Sequence, residues 1–296
     1  MAGGKLATIA AENETIIAAG RYTGPSGTVA LDALVATSCA GTRSYSPDDT
    51  ARLLSALSAE TVRPAQPTVI EVTGESTMRA ARRLVDERGA RVAVLNFASA
   101  RNPGGGYLGG ALAQEEDLCR VSALYTTLRQ ARDYYAAHRA VRDPSYSHRV
   151  IYSPDIPVYR DDRYNLLDEP YTVSFLTCPA PNAGVIAHDT PHLVADVPAV
   201  LAERAARILA VAAHHDQRNL ILGAWGCGVF RNNPAHVAAA FLAHLAAEGP
   251  FQNRFDRVVF AVLDRTPGRP NLTAFQTAFA TYRSHTPGNM PPDQHR

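Results

Sequence analysis

Glu115 and Glu116 are adjacent carboxylates. They close the run NPGGGYLGGALAQEED (102–117), in which five glycines fall within seven residues. Glycine-rich loops bring backbone N–H groups up to anionic ligands, whereas paired carboxylates repel anions and do acid–base work. The ligand must suit both. Neighbouring residues on a helix point ~100° apart, so the two acids divide their roles, one at the reacting bond and one orienting the substrate. Glycosidic cleavage fits this division, because an acid protonates the leaving oxygen as an oxocarbenium-like centre develops. Acids also favour the N-terminus of a solvated helix, but the glycine loop immediately upstream argues for chemistry.

A second glycine loop, GAWGCGVFRNNP (223–234), directly follows the apolar run NLILGAW. Asn232 or Asn233 can cap a helix that starts near Pro234, a residue suited to the first helical turn. Strand, glycine turn and helix start together form an anion site from amides and dipole. The string Gly104-x-Gly106-x-x-Gly109 matches a dinucleotide fingerprint only formally. Residues ASARNP separate it from the strand, and no acidic residue closes a following strand ~20 positions on.

The elements that must hold these loops alternate. Strand patterns occur at 68–74, 91–99, 149–155, 171–177, 219–225 and 256–263. Helical patterns occur at 75–88, 113–139, 198–215, 234–247 and 271–283. Several strands are continuously apolar, as expected of a sheet covered on both faces, so the fold class is α/β with a mostly parallel or mixed sheet. In such sheets ligands bind beyond the carboxyl ends of the strands, where both glycine loops fall. Upstream, 5–18 and 49–59 are helical, the latter capped at Ser46 or Asp48, and TVALDALVA (28–36) reads as a short strand. Arg63 to Pro67 reads as a break between a helical N-terminal extension (1–65) and the main domain (66–283). Residues 284–296 read as a disordered tail.

Composition narrows the function. The chain has 296 residues, 46% hydrophobic and 19% charged, with a formal net charge of +1. Broad nucleic-acid binding usually needs a strongly basic balance, so no direct DNA binding is expected. No apolar run reaches ~18–20 residues, and the polar, acidic start is unlike a signal peptide; both point to a cytoplasmic protein without a membrane partner. The four cysteines make no CxxC pair, which argues against a structural zinc site or a disulfide framework. His188-Asp189-x-x-His192 has metal-like spacing but reads as a loop. His214-His215 reads as a helix end, and Trp225, Tyr134 and Tyr135 as core. Cys227 has no evident base partner and reads as loop packing.

The segment LNFASARNPGGGYLGGALAQEED strongly resembles the bacterial-type poly(ADP-ribose) glycohydrolases, macrodomain enzymes with a GGG…QEE signature. YSPDIPVYRDD (152–162), SFLTCPAPNAG (174–184) and GAWGCGVFRNNP (223–234) match in the expected order. The resemblance implies a macrodomain-like three-layer α/β/α sandwich with a mixed sheet and an N-terminal helical extension. It implies hydrolysis of ribose–ribose bonds in poly(ADP-ribose), carried on ADP-ribosylated proteins, by a monomer needing no metal or cofactor. Glu116 would be the general acid and base, and Glu115 would bind the distal ribose hydroxyls. Asn96 and Asn102 would help hold that ribose. Gly104, Gly105 and Gly106 would bring amides to the ribose and the diphosphate, and Gln114 would join the ADP-ribose-binding residues. Gly226, Cys227, Gly228 and Val229 would wrap the diphosphate, with Phe230 against the distal ribose. The alternatives are a mono-ADP-ribosyl hydrolase and a non-catalytic ADP-ribose reader, which would share the loops but need no QEE.

Overall fold

The computed structural model describes residues 2–59 and 66–283. Chain order begins with α1 (Ala2–Ala19), a hairpin of β1 (Arg21–Gly24) and β2 (Gly27–Ala30), α2 (Asp32–Gly41), β3 (Arg43–Tyr45) and α3 (Pro47–Ala59). It passes through β4 (Val69–Thr73), α4 (Thr77–Arg88), β5 (Val92–Phe97), α5 (Gln114–Val121), α6 (Leu124–Leu128), α7 (Arg132–Ala140), β6 (Val150–Arg160) and β7 (Leu166–Cys178). It ends with α8 (Ala183–Asp189), α9 (Val197–His214), β8 (Asn219–Leu222), α10 (Pro234–Leu245), β9 (Arg257–Ala261) and α11 (Pro270–Arg283).

Seven strands form one mixed sheet in the order β3-β6-β7-β5-β8-β9-β4. Neighbours from β7 to β4 run parallel, and β3–β6 and β6–β7 are antiparallel. Alternation along the strands feeds two cores. Ala93, Leu95, Leu176, Leu220 and Phe260 point to the face covered by α3, α9, α10 and α11; Val92, Val94, Phe175, Ile221 and Val259 point to the face covered by α1 and α4–α7. Such strands have no solvated side, so their sequences read as unbroken apolar runs. The result is the expected three-layer α/β/α sandwich.

Local chemistry sets several helix ends. Ser46 caps α3: its Oγ accepts from Asp49 N–H (3.1 Å), and the Asp49 carboxylate accepts from Ser46 N–H (2.9 Å). Ser76 caps α4, and Gly89 ends that helix in the left-handed region. The continuous helix expected over 113–139 is instead three, α5, α6 and α7. At Ser122 the chain is extended and bridges Val158, and Ala123 N–H donates to Pro157 O (3.1 Å), so pairing with β6 breaks the helix. The strand expected at 28–36 stops at Ala30. Gly20 O accepts from both Leu31 and Asp32 N–H and starts α2 there. The loop read around His188–His192 is the end of α8 and a 3₁₀ turn, Pro191–Asp196. Trp225, Tyr134 and Tyr135 are core residues as expected. Arg63 to Ala65 of the expected break, and the tail from Ser284, lie outside the described residues. No helix among the described residues is long and apolar enough to cross a membrane.

The N-terminal segment is stitched into the sandwich. β3 forms the sheet edge on β6. Buried Asn13 of α1 donates through Nδ2 to Arg120 O (2.7 Å), an otherwise orphaned carbonyl at the end of α5, and accepts at Oδ1 from Arg160 Nε (2.8 Å). Arg160 also donates to Tyr164 O (2.7 Å) and to Glu12 (2.8 Å). Asn13→Ala leaves a buried guanidinium N–H and a helix-end carbonyl without partners. It is expected to lower unfolding stability by about 2–3 kcal/mol in urea titrations; no change would show that the joint carries no stability.

Candidate active site

The site is organised around the first turn of α5, beyond the carboxyl end of β5. β8 pairs with β5 only as far as Val94, leaving Leu95 O and Phe97 N–H without a strand partner on that side. Gln114 takes both: its Nε2 donates to Leu95 O (2.8 Å) and its Oε1 accepts from Phe97 N–H (2.8 Å). The side-chain amide thus replaces a strand residue and welds the start of α5 to the sheet. Expected to contact ligand, Gln114 has its polar atoms engaged by the protein itself.

Glu115 and Glu116 are 3% and 8% exposed. Glu115 is held at both oxygens: Oε2 accepts from Ser99 N–H (2.7 Å) and Oε1 from Asn96 Nδ2 (3.2 Å), which also donates to Thr177 Oγ1 (3.2 Å). Burial pushes the Glu115 carboxyl up to about 8, against the opposing pull of the Ser99 and Asn96 hydrogen bonds; the neighbouring Glu116 charge adds to the rise. Glu116 accepts at Oε1 from Gly106 N–H (2.8 Å), while its Oε2 has no hydrogen-bond partner among the described residues.

The glycine loop is shaped by these acids. Gly104 and Gly105 have φ +65° and +57°, a region that strongly favours glycine. A Cβ at Gly105 would strike the Glu116 carboxylate and come within 3.2 Å of Glu115, and one at Gly104 would lie 2.9 Å from Tyr125. The amides expected to reach a diphosphate are turned inward. Gly105 N–H donates to Asn102 O (3.0 Å), Gly106 N–H binds Glu116, and the Gly104 amide lies toward Glu115. Asn102 itself is exposed, and its backbone, rather than its side chain, shapes the turn.

Free amides sit instead in the second loop, beyond β8. Asn232 locks its base by donating to Pro181 O (2.8 Å) and Gly226 O (3.1 Å), and Asn233 caps α10. Gly226 adopts φ +72° with no room for a Cβ against Ala180. Among the described residues, the N–H groups of Gly228, Val229 and Phe230 have no hydrogen-bond partner. Three successive free amides make a nest for an anion. Val229 is 79% exposed at the tip, and Phe230 packs on Tyr146 (5.9 Å between ring centroids). Burial raises the Cys227 thiol to about 12, which agrees with packing rather than nucleophilic duty.

Between the two loops opens a cleft of about 500 Å³. Gln114, Asp117, Leu118 and Val121, one face of α5, form one wall, and Cys227, Gly228 and the end of β9 form the other. The turn between β6 and β7 closes a side, with Tyr164 OH donating to Asp117 (2.6 Å) and Ser76 Oγ to Asp162 (2.9 Å). The structure therefore divides the expected residues. Asn96, Glu115, Glu116 and Gly104–Gly106 form the acid centre, whereas Gln114, Cys227 and Gly228 line the cleft. Ser99, Thr177 and Tyr146 were not anticipated, since their contacts join separate strands and loops with no shared spacing.

The family model for the catalytic domain of microbial-type poly(ADP-ribose) glycohydrolase (PARG) matches residues 10–161. The chain belongs to the microbial-type PARG family. It is similar to the Thermomonospora curvata PARG crystal structure, with 51% identity over 93% of this chain and 100% of that one, and a TM-score of 0.90. The same relative bound to the inhibitor ADP-HPD gives 50% identity, the same coverage and a TM-score of 0.87. Deinococcus radiodurans PARG in complex with ADP-ribose gives 48% identity over 86% of this chain and 99% of that chain, and a TM-score of 0.79. No curated protein sequence matches significantly. The chain is thus a glycosidase of the PARG type, and its α/β/α sandwich is the macrodomain-like fold expected.

Two measurements check this geometry. Gly105→Ala, strained at positive φ and crowded by both carboxylates, is expected to lose about 1–3 kcal/mol of stability. Gly228→Ala, with nothing within 4 Å of its Cβ position, is expected to stay within ~0.5 kcal/mol. Equal effects would contradict the packing of the first loop. Because the folded-state pKa of Glu115 lies above its unfolded value of 4.5, its protonated form contributes stability below that value. That contribution is lost as pH rises through about 8. Urea unfolding at several pH values is expected to show Glu115→Gln gaining stability relative to wild type between pH ~5 and ~8; parallel profiles would refute the raised pKa.

Proposed function

We propose that this chain hydrolyses the ribose–ribose bonds of poly(ADP-ribose) on ADP-ribosylated proteins, releasing ADP-ribose, with Glu116 as general acid and then general base. The observation that carries the assignment is the asymmetry of the two acids. Both Glu115 oxygens are pinned by the protein, as suits a group that orients the distal ribose. Glu116 is pinned at one oxygen only, so Oε2 is available to the reacting bond.

Glu116 gives its proton to the leaving 2′-oxygen as the glycosidic C–O bond breaks and positive charge develops on the ribose. A water then attacks the anomeric carbon and returns a proton to the Glu116 carboxylate. The free amides of Gly228–Phe230 receive the diphosphate, whose negative charge supports the oxocarbenium-like centre. Asn96, anchored on Thr177, keeps Glu115 turned toward the ribose. Relatives with ADP-ribose or ADP-HPD bound support the ligand class.

Purified protein incubated with EDTA on poly(ADP-ribosyl)ated substrate is expected to release free ADP-ribose. Glu116→Gln should lower turnover by about a thousandfold, within the span of general acid–base catalysis, while still binding ADP-ribose in calorimetry. Unchanged turnover would refute the assignment of Glu116. Binding without release by wild type would make the chain a reader, and release of single protein-linked units alone would make it a mono-ADP-ribosyl hydrolase.

A further inference from the structure

The first loop carries a cation that the chemistry above does not use. Arg101 lies between Ser99, whose N–H holds Glu115, and Gly105, which abuts both acids. Its guanidinium sits over the Tyr146 ring (6.0 Å), and Tyr146 packs in turn on Phe230 of the second loop. Arg101 therefore stands where the two loops meet. Its hydrogen bonding is incomplete: NH2 reaches only Val141 O at 3.4 Å, and its buried Nε has no partner. Arg139 joins it from α7, donating through NH1 to Arg101 O (2.8 Å) with the rest of its guanidinium exposed.

Neither arginine pairs with a carboxylate among the described residues. Asp143, the exposed acid of the adjoining loop, accepts from Ser145 N–H (2.7 Å) and forms no ion pair with either arginine. Tyr146, with φ +58°, is kept in place by buried Arg204, which donates to Ser145 O (2.7 Å) and Pro179 O (2.8 Å). Two guanidinium groups without a carboxylate partner, Arg101 of the first loop and Arg139 of α7, thus stand against the braced Tyr146 beside the acid centre. An unpaired arginine fork suits phosphate oxygens.

We propose that Arg101 and Arg139 form a subsite for the diphosphate of the polymer unit behind the scissile bond, the part of the chain that remains after cleavage. The proposal rests on the functional reading above and adds a contact outside the terminal ADP-ribose. A second unit places its diphosphate one ribose away from the bond that Glu116 attacks, whereas free ADP-ribose has nothing there. The subsite therefore discriminates chains from monomer, and its contribution falls with salt.

The test uses the full chain carrying Glu116→Gln, with free ADP-ribose and a two-unit chain as ligands in calorimetry. The two-unit chain is expected to bind about tenfold tighter at low salt. Adding Arg101→Gln and Arg139→Gln removes that advantage, reduces the salt slope by about one per arginine, and leaves monomer affinity within about twofold, which also reports an intact fold. Paired lysine replacements restore much of the preference. A chain preference that is absent from the parent or survives the double replacement overturns the proposal. So does an equal loss for both ligands, which would place the arginines in the terminal site. Failure of the Glu116→Gln parent to bind either ligand would instead remove the functional reading itself.

Discussion

Burying two adjacent carboxylates is the constraint on which the rest of this site depends. A carboxylate taken out of water without compensating hydrogen bonds costs several kcal/mol or gives up its charge. The structure answers with donors from three directions: Ser99 N–H, Asn96 Nδ2 and Gly106 N–H. The glycine run follows from this need, because backbone donors at 2.8 Å leave no space for side chains. The first loop thus resolves the contradiction in its own sequence: its Gly106 amide serves an acid of the protein, while the partnerless amides lie in the second loop. Adjacency of β5 and β8 in the sheet brings the two loops together.

The acids also need a fixed helix. α5 is eight residues long, too short to be stable by itself, yet it is held at both ends. Gln114 ties its start to β5 in place of a strand, and Asn13 of α1 satisfies a carbonyl at its finish. Buried Arg120 completes the frame, with NH1 donating to Asp117 (3.0 Å) and NH2 to Ala111 O. A change in the N-terminal helix therefore reaches the acid centre through one turn of α5.

The edge strand β3, the polar and half-exposed Arg43-Ser44-Tyr45, was not legible, whereas the other six sheet strands were, because they carry apolar runs. The positions of both loops were legible because glycines directly follow such strands or begin close after them. β1 and α2 were missed, and β2 was read as too long a strand, because their burial is partial and is set by partners far along the chain, as where Tyr22 OH donates to Leu167 O (2.6 Å). The interruption at Ser122 was hidden because it depends on a bridge to Val158. Among the functional residues, the acids were visible by type and spacing. Gln114 was visible too, but its work was not, since its partners are main-chain atoms of β5. Amide direction in Gly104–Gly106 was equally invisible, because it depends on the sign of φ and not on residue identity.

The joint at Asn13 bears on how the chain is made. Its partners are 107 residues away at Arg120 and 147 away at Arg160. β3 likewise waits for β6 to pair with Tyr45, Ser44 and Arg43. A ribosome delivers the N-terminal segment first, and loop-closure entropy must be overcome before such distant contacts reward it. During synthesis, α1 and β3 therefore stay unsatisfied until β6 has emerged. Until then the charged residues of α1, Lys5, Glu12 and Glu14, face water rather than the partners that the enzyme's own centre later supplies.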